Sequence, residues 1–167
     1  MMVPGQTTLK VGFDGAVGWQ QDSEDGVVER TGLELGTAIR DADFYQPLKL
    51  RAQYPQLFRR GEAKLALHKP NGQTSVEREV IILEAPRNGS PRRFYFDKTT
   101  GLLVQSEERN QADQVTSAIE YDDYRDVDGV KVPFVIHYVD DAHFVIKLTE
   151  VKQNLSIDDS VFVKPKE

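Results

Sequence analysis

The sequence predicts a mainly β protein with one helical insert, folded as an antiparallel meander that curls into an open, unclosed barrel. Three observations predict this class. Apolar and polar residues alternate over about nine short segments, which is the period of a half-buried strand. Short turns rich in Gly, Asn and Asp join most of these segments. The stretch with helical spacing covers only residues 31–58, which is too little helix to cover the whole face of a sheet.

Length and composition exclude several classes of protein. The chain has 167 residues, which suits one domain, and it carries 21 Lys and Arg against 27 Asp and Glu. This acidic balance argues against a nucleic-acid partner. No apolar run approaches the roughly 18 residues that a transmembrane segment needs. The absence of cysteine excludes disulfides, thiolate catalysis and zinc–thiolate sites. Residues 1–5 have neither the basic nor the apolar region of a signal peptide, so we expect none in this chain.

The first third of the chain predicts a hairpin followed by two helices. Residues 7–20 alternate on both sides of Asp14-Gly15, which supplies the positive φ of a tight turn. After a polar loop at 22–26, Thr31 and Glu34 form a capping box that starts a helix. Its apolar stripe consists of Leu35, Ala38, Ile39 and Ala42. Pro47 ends this helix and opens a second one at 48–54, which Pro55 stops.

From residue 61 to residue 151 the apolar spacing changes to two. The predicted turns are Asn71-Gly72, 98–101, Asp128-Gly129 and Asp140-Asp141. Such short connections join antiparallel strands, because parallel strands need crossovers of about a dozen residues or more. A twisted meander of about nine strands curls to hide its apolar face. We therefore expect an apolar hollow with the helices across its concave face.

The candidate site is the set of apolar residues expected to line that hollow. A curved and incompletely covered barrel can hold an apolar ligand there. The alternative interpretation is that the same side chains fill a packed core. The two differ in whether the space is empty or occupied. The predicted ligand-binding residues are Leu65, Leu67, Val80, Ile82, Phe94, Phe96, Ile119, Tyr121, Phe134, Ile136, Ile39 and Phe44.

Catalytic and metal-binding patterns are weak. The predicted hairpin register puts His137 opposite Ile146, several residues from His143, with His68 on a distant strand, so we expect no shared metal site. The acidic run at 122–129 lacks the ligand spacing of a calcium loop and is typical of a solvated turn. No serine-hydrolase elbow and no phosphate-binding glycine loop occur. We expect no enzyme, no cofactor and no metal.

Several turn motifs resemble the bacterial LolA/LolB-like outer-membrane lipoprotein-carrier superfamily. The most specific are the Asp-x-x-Thr-Gly-Leu-Leu turn at 97–103, the Tyr-x-x-Tyr strand at 121–124 and the Gly-x-x-x-Pro strand start at 129–133. The Val11 to Trp19 hairpin and the 154–165 segment fit the same pattern, so the resemblance covers about residues 9–165. A similar pattern forms the tail domain of bacterial proteins resembling reaction-centre-type cytochrome subunits or secreted peptidases. Turn motifs of this kind indicate a fold more than they indicate an activity.

The resemblance implies an unclosed barrel with helices on its concave side. It also implies non-enzymatic binding of a lipid or lipoprotein acyl chain, in a full-length protein that is periplasmic or secreted. Residues 1–167 are expected to be one LolA-like domain that lacks the family's amino-terminal helix and first strands. That leaves an exposed sheet edge near residues 8–13, and we expect a homodimer to cover it. The alternative function is a ligand-free interaction or scaffold module fused to a cytochrome or peptidase.

Overall fold

The computed structural model describes residues 9–42, 49–68, 76–86, 91–139 and 144–166. The chain divides into two compact units, the first from Met1–Leu50 with Leu155–Glu167 and the second from Arg51–Asn154. The described strands form one three-stranded and one seven-stranded sheet, and every strand pair is antiparallel. The prediction of a mainly β, antiparallel chain is therefore confirmed. The prediction of one meander is wrong, because the strands belong to two sheets.

The first unit contains the small sheet. Its strands are β1 (Lys10–Phe13), β2 (Gly18–Asp22) and β3 (Gly26–Arg30), paired in that order. The Asp14-Gly15 turn between β1 and β2 is confirmed, with Gly15 at a φ of 99°. Strand β3 lies where the sequence predicted only the approach to a helix. The structure consequently describes ten strands where about nine were expected.

Helix α1 (Gly32–Asp41) follows β3 directly, as the capping pattern at Thr31 predicted. Its first turn is closed by the Glu34 amide, which donates to the Thr31 carbonyl over 3.2 Å. The helix packs on the sheet at Gly18, where an added Cβ would lie 3.0 Å from a Leu35 methyl group. A second helix, α2 (Leu50–Gln53), ends before Pro55 as predicted, whereas Pro47 lies outside the described residues.

The second unit contains the large sheet, whose seven strands neighbour one another in chain order. They are β4 (Phe58–Leu67), β5 (Val76–Ala85), β6 (Arg92–Asp97), β7 (Leu103–Arg109), β8 (Val115–Val127), β9 (Val130–Val139) and β10 (Phe144–Lys147). The predicted turns at 98–101 and Asp128-Gly129 join β6 to β7 and β8 to β9. The predicted turns at Asn71-Gly72 and Asp140-Asp141 lie outside the described residues.

The seven-stranded sheet is curled but not closed. Strands β4 and β10 are its two edge strands, and they are not paired with each other among the described residues. The curl is visible where His68, just after β4, donates its backbone N–H to Glu120 on β8 over 2.8 Å. Three strands lie between these two in the sheet, so a flat sheet would keep them about 19 Å apart. The face that carries Glu120 is therefore the concave face.

Two details of the large sheet bear on the sequence predictions. The register of β10 places His137 opposite Val145, so the predicted pairing of His137 with Ile146 is wrong by one residue. A one-residue shift moves each side chain to the other face of its strand.

No helix among the described residues is both long enough and apolar enough to span a membrane.

Candidate functional site

The predicted ligand-binding residues lie on both faces of the large sheet. Strand pairing places Leu65, Leu67, Val80 and Ile82 on the concave face. There they pack together with Tyr95 and Val104, and Val80 is fully buried. The other sheet residues of the set lie on the opposite face, namely Phe94, Phe96, Ile119, Tyr121, Phe134 and Ile136. Of the helical pair, Ile39 is exposed on α1 and Phe44 lies outside the described residues.

The centre of the concave face is a buried polar network around Glu107. Its carboxylate accepts a hydrogen bond from the Tyr95 hydroxyl and bonds of 2.6 Å from Arg109 Nε and 3.1 Å from Gln105 Nε2. Burial, followed by the bond to Glu107, raises the pKa of Tyr95 to about 12. The neutral phenol is therefore the stable form throughout the physiological pH range.

Arg93 links this network to the end of β5 and to the loop between β7 and β8. Its Nε donates to Glu84 over 2.6 Å, and its Nη2 donates to Asp113 over 2.6 Å. Its Nη1 lies 3.9 Å from Glu107. Buried charges require such pairing because their desolvation is costly. The network gives each of these groups a partner, which is typical of a structural core.

A second polar cluster joins the end of β4 to β8 and β9. Besides the backbone bond of His68, its Nδ1 lies 2.9 Å from Glu120 Oε1. The rings of His68 and His137 stack with centroids 6.3 Å apart. The expectation that these two histidines are far apart is wrong, because the curl of the sheet brings them together. No group of three or more metal-binding side chains capable of holding an ion occurs within the described ranges.

A small cavity lies beside these clusters on the concave face. A cavity bordered by Leu67, His68, Arg78 and Glu120 has a volume of about 20 Å³. A cavity of roughly 10–15 Å³ holds one water molecule, so a lipid chain does not fit there. The side chains of the polar network and of the Val80 cluster occupy the surrounding space. The hollow predicted between the strands is thus not found at this cavity.

A cavity of ligand size lies in the first unit. It is an open groove of about 860 Å³ beside the edge strand β1. This volume falls within the range of about 300–1,000 Å³ typical of small-molecule sites. Its lining is mostly apolar, with three charged residues, and consists of Val11, Gly12, Phe13, Asp14, Ala16, Arg30, Ala38, Ala42, Asp159, Phe162 and Val163.

Trp19 determines one wall of this groove. The indole lies against Gly12, where an added Cβ would be only 2.3 Å from the ring. Its Nε1 donates to the Phe162 carbonyl over 2.8 Å and so attaches the 3₁₀ helix Asp159–Phe162 to the small sheet. Lys164 adds a 2.9 Å ion pair with Glu29 on the same face of this sheet. Because β1 is the edge of the sheet, the groove opens along it between this segment and α1.

Two charged residues of the groove differ in how they are paired. Asp14 accepts bonds from the amides of Val17 and Ala16 over 2.7 and 2.9 Å, and these bonds hold its pKa below the ordinary value. Arg30 donates through Nη2 to Gln20 over 3.3 Å, while its Nε is buried and has no hydrogen-bond partner among the described residues. The Asp14 carboxylate is therefore bonded within its own turn, whereas the Nε–H donor of Arg30 has no partner among the described residues.

Sequence reasoning missed this groove. Its walls include β3, which was not predicted, and the 155–166 segment, which has no strand or helix period. The available signal was Asp25-Gly26 followed by Val27 and Val28, a turn pair before β-branched residues. Comparisons of the chain with protein-family models, with curated proteins and with solved structures found no match.

Proposed function

We propose that this chain is a non-enzymatic binding domain for a hydrophobic ligand, a lipid or an acyl chain, of LolA/LolB-like and periplasmic type. The observation that carries the proposal is the groove of about 860 Å³ beside β1, with its mostly apolar lining. The proposal moves the ligand from the face of the large sheet, where the sequence predicted it, to the first unit. It retains, as a hypothesis, the LolA-like arrangement of helices across the concave face.

The energetics of an acyl chain fit such a groove. Each methylene transferred from water contributes about 0.8 kcal/mol, so ten methylenes contribute roughly 8 kcal/mol before the costs of association. Those costs are about 4 kcal/mol or more, so ten methylenes leave roughly 4 kcal/mol, an affinity near the millimolar range, and each further methylene tightens it. Val11, Phe13 and Phe162 offer the apolar contact surface for this burial. Ala38 and Ala42 also line the groove, and their small side chains leave room in it for an alkyl chain.

The proposal is tested by displacement of a fluorescent fatty acid, together with mass spectrometry of lipids extracted from the purified chain. Ala42→Trp places a large ring at the exposed position directly after α1, at the groove wall, and should weaken binding at least tenfold. Ala52→Trp, on the exposed side of α2, is the matched control and should bind like the wild type. An empty extract and no probe binding by the wild type would exclude the proposal.

The second candidate is a ligand-free interaction module, and edge strand β10 favours it. Phe144, Val145 and Ile146 are all exposed, although consecutive residues of a strand point to opposite faces. An apolar edge strand is a template for pairing with another chain. Leu9 and Val11 are also exposed at the β1 edge, which keeps the expected homodimer as a hypothesis. Sedimentation tests it, since a monomer at high concentration would exclude self-pairing.

A further inference from the structure

We propose that the groove selects amphiphiles with an anionic oxygen head group, and that Arg30 binds that head group. This inference rests on the proposed function, because it names the ligand class of the same groove. The groove is otherwise lined by apolar side chains, glycine and two carboxylates. Arg30 is therefore the cation of its described lining.

The small sheet directs Arg30 toward the groove. On β3 it lies directly opposite Gly18, which in turn lies opposite Phe13 on β1. A Cβ added at Gly18 would lie 3.5 Å from Arg30 Cβ, 3.4 Å from Ala38 Cβ and 3.0 Å from a Leu35 methyl group, so Arg30 and α1 pack side by side over this glycine. Half-buried Arg30 lines the groove together with Phe13 and Ala38.

The guanidinium lacks the partner that its burial requires. Among the described residues no carboxylate lies within 4.0 Å of it, and its one hydrogen bond is the 3.3 Å bond to Gln20. The buried Nε has no acceptor. Buried Arg93 is paired with Glu84 and Asp113, whereas half-buried Arg92 resembles Arg30 in having a buried Nε without a hydrogen-bond partner among the described residues. A carboxylate or phosphate oxygen matches the planar donors of a guanidinium, so such a group would complete the bonds of Arg30.

The two carboxylates restrict the ligand further. Asp14 and Asp159 give the groove two negative charges against the one positive charge of Arg30. A small free anion is therefore not attracted to the groove as a whole. An oxyanion attached to an alkyl chain is held differently, because burial of the chain draws the molecule into the groove and the head group then meets Arg30. The groove should accordingly bind fatty acids or alkyl phosphates and not inorganic phosphate or acetate.

The test compares ligands of one chain length and proteins that differ in one charge. Dodecanoate, dodecyl phosphate and dodecanol are titrated at neutral pH into the wild type, Arg30→Met and Arg51→Met. Arg51 is exposed on α2, so its substitution removes the same charge outside the groove. A charged hydrogen bond changes affinity about tenfold to one-hundredfold. We expect the wild type and Arg51→Met to prefer an anionic ligand over dodecanol by that factor, and Arg30→Met to lose the preference.

The outcomes separate this inference from the proposed function. If the wild type binds none of the three chains, the proposed function fails. If it binds all three equally, or if Arg30→Met keeps the preference, only the role of Arg30 fails. The anion that binds more tightly identifies the source as a carboxylate or a phosphate. Unliganded Arg30→Met should melt at or above the wild-type temperature, because an unpaired half-buried charge is removed. A marked fall in melting temperature would assign Arg30 a structural role instead and overturn the inference.

Discussion

The contact between Gly12 and Trp19 leads to a prediction about a single methyl group. In Gly12→Ala the added Cβ would lie 2.3 Å from Cζ2 of Trp19, whereas ordinary contact begins at 3.4 Å. Going from 2.3 to 3.4 Å requires the indole to move by about 1.1 Å. Its 2.8 Å bond to the Phe162 carbonyl does not survive a movement of that size away from the segment. One methyl group should therefore release the 3₁₀ helix from the small sheet.

The magnitude follows from three contributions to the free energy of unfolding. Overpacking costs about 1–3 kcal/mol, and the lost hydrogen bond costs about 0.5–1.5 kcal/mol. Replacing glycine restricts the unfolded chain and returns about 0.4–1 kcal/mol. The net loss is about 0.5–4 kcal/mol, at roughly 2–4 °C of melting temperature per kcal/mol for a chain of this size.

The assay uses the fluorescence of Trp19, which is the single tryptophan of the sequence. Gly12→Ala should shift the native emission to longer wavelength and lower the denaturation midpoint. Gly15→Ala is the control, because its Cβ meets nothing within 4 Å and only the turn at a φ of 99° is strained. It should lower the midpoint without shifting the native emission. Wild-type emission together with a wild-type midpoint in Gly12→Ala would refute the reasoning.

Three further predictions concern the second unit. Burial and the bond to Glu107 raise the pKa of Tyr95 to about 12, so its contribution to stability is complete below a pH of about 10 and is lost as the pH rises to about 12. Tyr95→Phe should remove one late-ionising group from the ultraviolet titration, and an unchanged titration curve would contradict the assignment. Glu107→Gln removes the buried carboxylate that pairs with half-buried Arg109, which keeps Asp113 at 3.6 Å, and should lower the free energy of unfolding by about 1–3 kcal/mol, measured by urea unfolding monitored by circular dichroism. A loss below about 1 kcal/mol would show that the network is dispensable. Burial raises the pKa of Asp97, but bonds from Thr100, Arg78 and Thr99 outweigh it and leave that pKa below the ordinary value. Its contribution is therefore lost as the pH falls through that lowered value, and Asp97→Asn should flatten the acid limb of the stability profile, which the wild type retains.

Turn chemistry made much of the fold predictable. Asp14-Gly15 and Asp128-Gly129 need positive φ, and glycine adopts it without strain, so these pairs located two hairpins correctly. The Thr31 and Glu34 pattern located the start of α1 because the unpaired amides of a first turn need acceptors. These requirements involve only residues that are close together in the chain, so they can be predicted from the sequence alone.

The two faces of the large sheet were not predictable in the same way. Polar residues of an alternating strand are ordinarily assigned to solvent, yet Arg93, Glu107 and Glu120 are buried on the concave face. What buries them is the curl of the sheet, which depends on twist and on irregularities such as the register shift between Tyr95 and Phe96. Neither appears in the spacing of residues. For this reason the predicted apolar set was treated as one surface, although it belongs to two.

The bond between Trp19 and the Phe162 carbonyl joins residues 143 positions apart. On the ribosome, the whole of Arg51–Asn154 is therefore translated before the last partner of the small sheet exists. Synthesis proceeds at about 5–20 residues per second, so several seconds or more pass between the synthesis of Trp19 and the synthesis of Phe162, its acceptor. We expect the seven-stranded sheet to be the first part of the nascent chain to acquire protease resistance, and the small sheet to become resistant only when residues 155–166 have left the exit tunnel.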